Sequence, residues 1–158
     1  MRDSLTGLLL MGLFCVAGCC GPLGPLAGGK LAGETASYPV GWNLARSTEH
    51  VQLETYDADG DAHSVNTWSV VHGERLYIAS SMVRGQERPE KRRWVRNAMA
   101  APDARLKVDA YIYSGVLRRI EDGQLVSAIK AAFVLKYAIE ENARTRDAWV
   151  FEFANPKT

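Results

Sequence analysis

Val51-Gln52-Leu53-Glu54-Thr55-Tyr56, then Asp57-Ala58-Asp59-Gly60-Asp61, then a β-branched and aromatic run from Ser64 to Val71, decide the fold. The first six residues alternate apolar and polar side chains, the period of a strand with one buried face. Asp59-Gly60 is a tight-turn dipeptide, so the two runs form a hairpin. His72-Gly73-Glu74 makes a second turn into a third strand, Arg75 to Ser81.

Working outward, Pro89 suits a first helical turn. After it Trp94, Val95, Ala98 and Met99 share one face while Arg92, Arg93, Arg96 and Asn97 share another, which predicts an amphipathic helix ending before Pro102. Leu106, Val108 and Ala110 alternate with Lys107 and Asp109, and Tyr111 to Ile120 continues as a longer strand. Leu125, Val126, Ile129, Ala132, Phe133 and Tyr137 recur at helical spacing between about Gly123 and Ala138. A charged loop from Glu140 to Asp147 follows, and a strand over Trp149 to Ala154 closes the domain. The order βββαββαβ, with antiparallel strands predominating, implies an α+β class and a small antiparallel split β-barrel with two flanking helices.

The chain has 158 residues and a net charge of +1, which fits one domain and gives no sign of nucleic-acid binding. Its N-terminus has a different character. Arg2, the apolar run Leu5 to Val16, and Val16-Ala17-Gly18-Cys19 together read as a lipoprotein signal over residues 1–18, with the thiol of Cys19 as the lipidation site. Residues 19–45, rich in Gly, Pro, Ala and Leu, read as the lipidated cysteine and a flexible linker, and 46–158 as the domain. The chain is thus expected in the bacterial cell envelope, held to a membrane through its lipid. Cys15, Cys19 and Cys20 all lie in the N-terminal segment, so the domain itself can hold neither a disulfide framework nor a cysteine zinc site.

Leu53-Glu54-Thr55, Trp68-Ser69-Val70-Val71, Leu76-Tyr77-Ile78, Arg93 to Ala98 and Ala101 to Leu106 carry a resemblance, strongest in the Trp-x-x-Asn-x-x-x-x-Pro spacing from Trp94 to Pro102. Over about His50 to Asn155 the chain resembles the FMN-binding split barrels of pyridoxamine-phosphate-oxidase-like proteins, more closely the deazaflavin-dependent nitroreductase-like branch and related uncharacterised families. The resemblance implies FMN or a deazaflavin as cofactor and a homodimer. It also implies a cofactor groove lined by Ser80, Ser81, Arg92, Arg93, Trp94 and Asn97. Where such relatives carry a Gly-Arg-Lys-Ser-Gly-like hairpin, this chain has Asp57-Ala58-Asp59-Gly60-Asp61, and carboxylates there oppose a phosphate.

Two functions follow. One is a flavin- or deazaflavin-dependent oxidoreductase in which the cofactor carries the hydride chemistry. The other is a non-catalytic lipoprotein whose altered groove binds a small anionic ligand or an envelope partner. Arg84, Arg88, Lys91, Arg92, Arg93 and Arg96 could pair with phosphate or carboxylate, or form a solvated face resting on anionic membrane. No metal site is expected. Asp57, Asp59 and Asp61 have the first spacings of a calcium loop, but Ala62 and Trp68 stand where glycine and glutamate belong. His50, His63 and His72 sit at strand ends and turns and read as surface residues. A nucleophile elbow and a phosphate loop ahead of a lysine are both missing from the sequence.

Overall fold

The computed structural model describes residues 21–80, 88–139 and 147–157. The expected signal, Cys19, Ser81, Arg84 and the charged run from 140 to 146 lie outside these residues. The strands are β1 (Glu34–Ala36), β2 (Val51–Tyr56), β3 (Ala62–Thr67), β4 (Ser69–His72), β5 (Arg75–Ala79), β6 (Asp103–Val108), β7 (Tyr111–Arg119) and β8 (Val150–Ala154). The helices are α1 (Asn43–Ser47), α2 (Arg93–Ala100) and α3 (Gly123–Tyr137), with a 3-10 turn at Pro89–Lys91 ahead of α2. The class is α+β, as the periodicities imply.

The sheet runs β3-β2-β6-β7-β8-β5-β4, and its pairs are antiparallel except for β1, which lies parallel to β7. The expected single strand from Ser64 to Val71 is divided at Trp68 into β3 and β4. That division lets the chain pass from one edge of the sheet to the other. β3 pairs with β2 at one end of the path and β4 with β5 at the other, so one continuous piece of chain joins the two edges.

The end of α3 holds this bend. Trp68 stacks on Tyr137 with ring centroids 4.3 Å apart and planes 9° from parallel, and its indole N–H donates to His50 Nε2 at 3.1 Å. The Ser69 amide donates to the Tyr137 hydroxyl at 3.0 Å. Lys136 Nζ donates to the carbonyls of Ala45, Thr48 and Ser69 at 3.1, 2.9 and 2.9 Å. Asp122 caps the start of α3 by accepting from the Leu125 amide at 2.8 Å.

Alternation along the strands divides the core in two. Val51, Leu53, Leu76, Ile78, Leu106, Phe151 and Phe153 form one cluster, into which α2 inserts Trp94, Val95 and Ala98. The opposite face of β4, β5 and β8 supplies Val70, Tyr77, Ala79 and Val150, and α3 covers them with Ile129 and Phe133. Both expected helices are present, and α3 flanks the sheet as expected. α2 is different, since its apolar face joins the inward-facing strand residues.

The N-terminal segment departs most from expectation. Residues 21–45, expected from composition to be part of a flexible linker, lie against the barrel and contain β1 and the start of α1. Leu31 and Trp42 are 3% exposed and Ala45 is fully buried. Low periodicity misled the reading, because this arm is held by backbone bonds and single anchoring side chains, which leave no repeat in the sequence.

Gly115 marks the tightest crossing. A Cβ there would lie 2.5 Å from the Phe153 ring and 2.8 Å from the Ala154 carbonyl. Gly115→Ala should therefore destabilise the protein by about 1–3 kcal/mol, seen as a lower urea midpoint; an unchanged midpoint would show that β8 yields freely.

Candidate functional site

The site begins with a buried charge. On β2 the side chains of Gln52, Glu54 and Tyr56 alternate with buried Val51, Leu53 and Thr55, so the pattern alone would send Glu54 to solvent. Its side chain instead has no exposed surface. One carboxylate oxygen accepts from the Leu31 amide at 2.5 Å, and the other accepts from the Tyr56 hydroxyl at 2.7 Å. Arg105, directly opposite Glu54 in the β2–β6 register, donates to the two oxygens at 3.0 and 3.3 Å. A buried carboxylate is tolerable when paired and hydrogen-bonded in this way.

The arm that covers Glu54 crosses the strands in their sheet order. Gly28 exchanges backbone hydrogen bonds with Ser64 in β3, and the Ser64 hydroxyl donates to the Gly29 carbonyl at 2.6 Å. Leu31 meets Glu54 in β2, the Ala32 carbonyl accepts from Lys107 in β6 at 2.6 Å, and β1 then pairs with Tyr111–Tyr113 of β7.

Where the arm crosses β3 and β2 it leaves a groove of about 900 Å³. The arm contributes Gly28, Gly29 and Lys30, the β2–β3 hairpin contributes Tyr56, Asp61 and His63, and Arg93 and Arg105 complete the lining. Lys30 and Arg93 are exposed and form no ion pair among the described residues. Burial and the hydrogen bond to Glu54 push the Tyr56 hydroxyl up to about 12, so it stays protonated and points its proton at Glu54.

The acidic hairpin is less hostile to anions than its composition suggests. Asp57 accepts from the amides of Asp59 and Asp61 at 3.1 and 3.0 Å and meets His63 Nε2 at 2.8 Å. The bond from His63, with the backbone bonds from Asp61 and Asp59, holds its carboxyl below the usual range. Gly60, with φ of +84°, makes the turn, and of the three aspartates only Asp61 lines the groove. His63 is consequently a half-buried part of the hairpin, contrary to its reading as a surface residue.

The sequence-derived site residues divide. Arg93 lines the groove, and Arg92 precedes it as the residue capping α2. Trp94 is 4% exposed and packs edge-to-face on Phe151, with ring centroids 5.2 Å apart. Asn97 donates to the Thr55 hydroxyl at 3.2 Å, tying α2 to β2. Ser80 is 1% exposed and accepts from the Trp149 amide at 2.9 Å, fastening β5 to β8. In this chain Trp94, Asn97 and Ser80 hold the fold and do not line this groove; Ser81 and Cys19 are among the residues not described. Lys30, Tyr56, His63 and Arg105 also line the groove and were not marked as groove residues by the sequence. Glu54 and Arg105 become a visible pair only once β2 and β6 are set side by side, and no local signal marked Lys30.

The predominantly antiparallel sheet, with its two edges joined through Trp68, α2 entering its core and α3 outside, has the fold of a split barrel, and solved structures agree. An F420 reductase superposes with a TM-score of 0.55 at 20% identity, over 74% of this chain and 94% of its own. A candidate pyridoxamine 5'-phosphate oxidase of Listeria innocua gives 0.55 at 12%, over 72% and 88%. The heme storage protein HutZ of Vibrio cholerae gives 0.52 at 16%, over 73% and 87%. At such identities the likeness is one of fold. No curated protein matches the chain by sequence. Residues 43–155 match the model of a family described as uncharacterised proteins conserved in bacteria (DUF2255), and the chain belongs to that family.

Two outcomes follow from the Glu54 cluster. Glu54→Ala should cost about 3–5 kcal/mol in denaturant unfolding, because it strands a largely buried guanidinium, whereas Glu54→Leu with Arg105→Met should recover most of that loss. Tyr56 and Tyr137 both have hydroxyls raised from about 10 to about 12, so their contribution to stability is complete below pH 10 and is lost as pH climbs towards 12. The urea midpoint should fall across that window, and Tyr56→Phe and Tyr137→Phe should each flatten the fall.

Proposed function

We propose that the protein is a lipid-anchored component of the bacterial envelope whose split barrel binds an anionic, ring-bearing cofactor of the flavin or deazaflavin class and acts as an oxidoreductase. One observation carries the binding step: Lys30 and Arg93, neither in an ion pair among the described residues, meet at one groove. A volume of about 900 Å³ lies within the usual range for small-molecule sites. Paired guanidinium and ammonium donors are the chemistry that holds a phosphate.

The fit is electrostatic and spatial. Self-pairing of Asp57 with His63 and its own turn keeps one carboxylate from repelling a phosphate, and the Glu54 cluster holds Arg105 at the groove. A bound flavin or deazaflavin would supply the hydride chemistry. The chain's own residues would bind the anionic end and orient the ring, since the Tyr56 and His63 protons are already engaged with Glu54 and Asp57.

That engagement also favours a second reading, in which the same groove holds a small anion without turnover. Titrating the full chain in detergent with FMN, FAD and a deazaflavin separates the two. Arg93 is exposed, so Arg93→Ala should leave the unfolding midpoint unchanged and weaken cofactor binding about 10- to 100-fold, the worth of one charge-assisted contact. Binding of inorganic phosphate with no response to any ring cofactor would favour the second reading.

A further inference from the structure

We infer that the turn Leu23-Gly24-Pro25-Leu26 is a membrane-contact element that inserts two leucines into the lipid surface beside the N-terminal anchor. The inference rests on the lipid-anchor reading for its choice of partner. Its physical basis is the turn itself.

Leu23 and Leu26 exchange both backbone hydrogen bonds, at 3.1 and 3.0 Å, around Gly24, whose φ is +55°. Residues paired in this way project their side chains to one side of the ribbon. These two are 73% and 68% exposed, so an apolar pair faces outward from a rigid turn. The turn is not held by those leucines. Pro22 is buried beneath it, and the Gly24 carbonyl accepts from Asn66 Nδ2 of β3 at 2.8 Å. With Pro25 lacking an N–H and the Leu23 and Leu26 bonds and the Gly24 carbonyl bond already made, only the Gly24 N–H and the Pro25 carbonyl are left for the polar headgroup layer to satisfy.

Distance selects the bilayer as occupant. Leu23 is four residues from Cys19, so the turn stands at most about 14 Å of extended chain from the Cα of the residue that would carry the lipid. A surface so tethered meets lipid continuously, and burying each leucine there favours the contact by roughly tenfold or more. Ala27, the next residue, already lines the groove. The groove would then open at the level of the lipid headgroups.

The test uses full-length protein purified from its membrane and reconstituted into phosphatidylethanolamine–phosphatidylglycerol vesicles whose acyl chains carry bromine near the headgroup. Leu26→Trp is read against the native tryptophans, and Val40→Trp, at a site 94% exposed elsewhere on the arm, is the control. Loss of the added emission at 26 but not at 40 is expected. Equal emission loss at both positions, or none at 26, overturns the inference. Mass measurement of the same sample reads diacylglycerol on Cys19 independently, so an unmodified Cys19 removes the anchor reading while the emission at 26 still decides the fate of the turn.

Discussion

The Glu54 carboxylate, wholly removed from solvent, is shared by the Leu31 amide of the N-terminal arm, the Tyr56 hydroxyl and the Arg105 guanidinium of β6. A charge in that position must be fully paired or it destabilises the domain, so the three donors constrain one another. The arm has to cross β2 at Leu31, β2 and β6 have to keep their register, and Tyr56 has to turn back along its own strand. The groove is a consequence, since its lining from the arm, the hairpin and β6 is assembled around this carboxylate.

Charge is arranged in two layers. Glu54–Arg105 and Asp57–His63 are internal pairs that set geometry. Lys30 and Arg93 stand outside those pairs and line the groove. The hairpin's acidic composition therefore says less about the groove than the direction each carboxylate takes, and Asp57 takes its direction from its own turn.

The bend between β3 and β4 depends on a similar long-range clasp. Trp68, where the chain passes from one sheet edge to the other, is held by Tyr137, while Lys136 draws α1, the residue that follows it and the start of β4 together through three carbonyls. Burial pushes the Lys136 ammonium down from its usual range, and its hydrogen bonds to those carbonyls offset that cost.

Alternation, helical spacing and the Asp59-Gly60 and His72-Gly73 turns are local properties, so the elements from β2 onward and the α+β class were legible in the sequence, except that β3 and β4 read there as one strand. The cationic helix that carries Arg93 is also readable along the chain. Only the folded chain shows that Glu54 is buried, that Trp94, Asn97 and Ser80 are buried away from this groove, that Lys30 reaches it, and that the arm from residue 21 lies against the barrel. The reason is physical. Those outcomes depend on contacts between segments tens of residues apart, such as Leu31 with Glu54 and Glu54 with Arg105, and a strand's own period carries no information about what will be laid across its outer face.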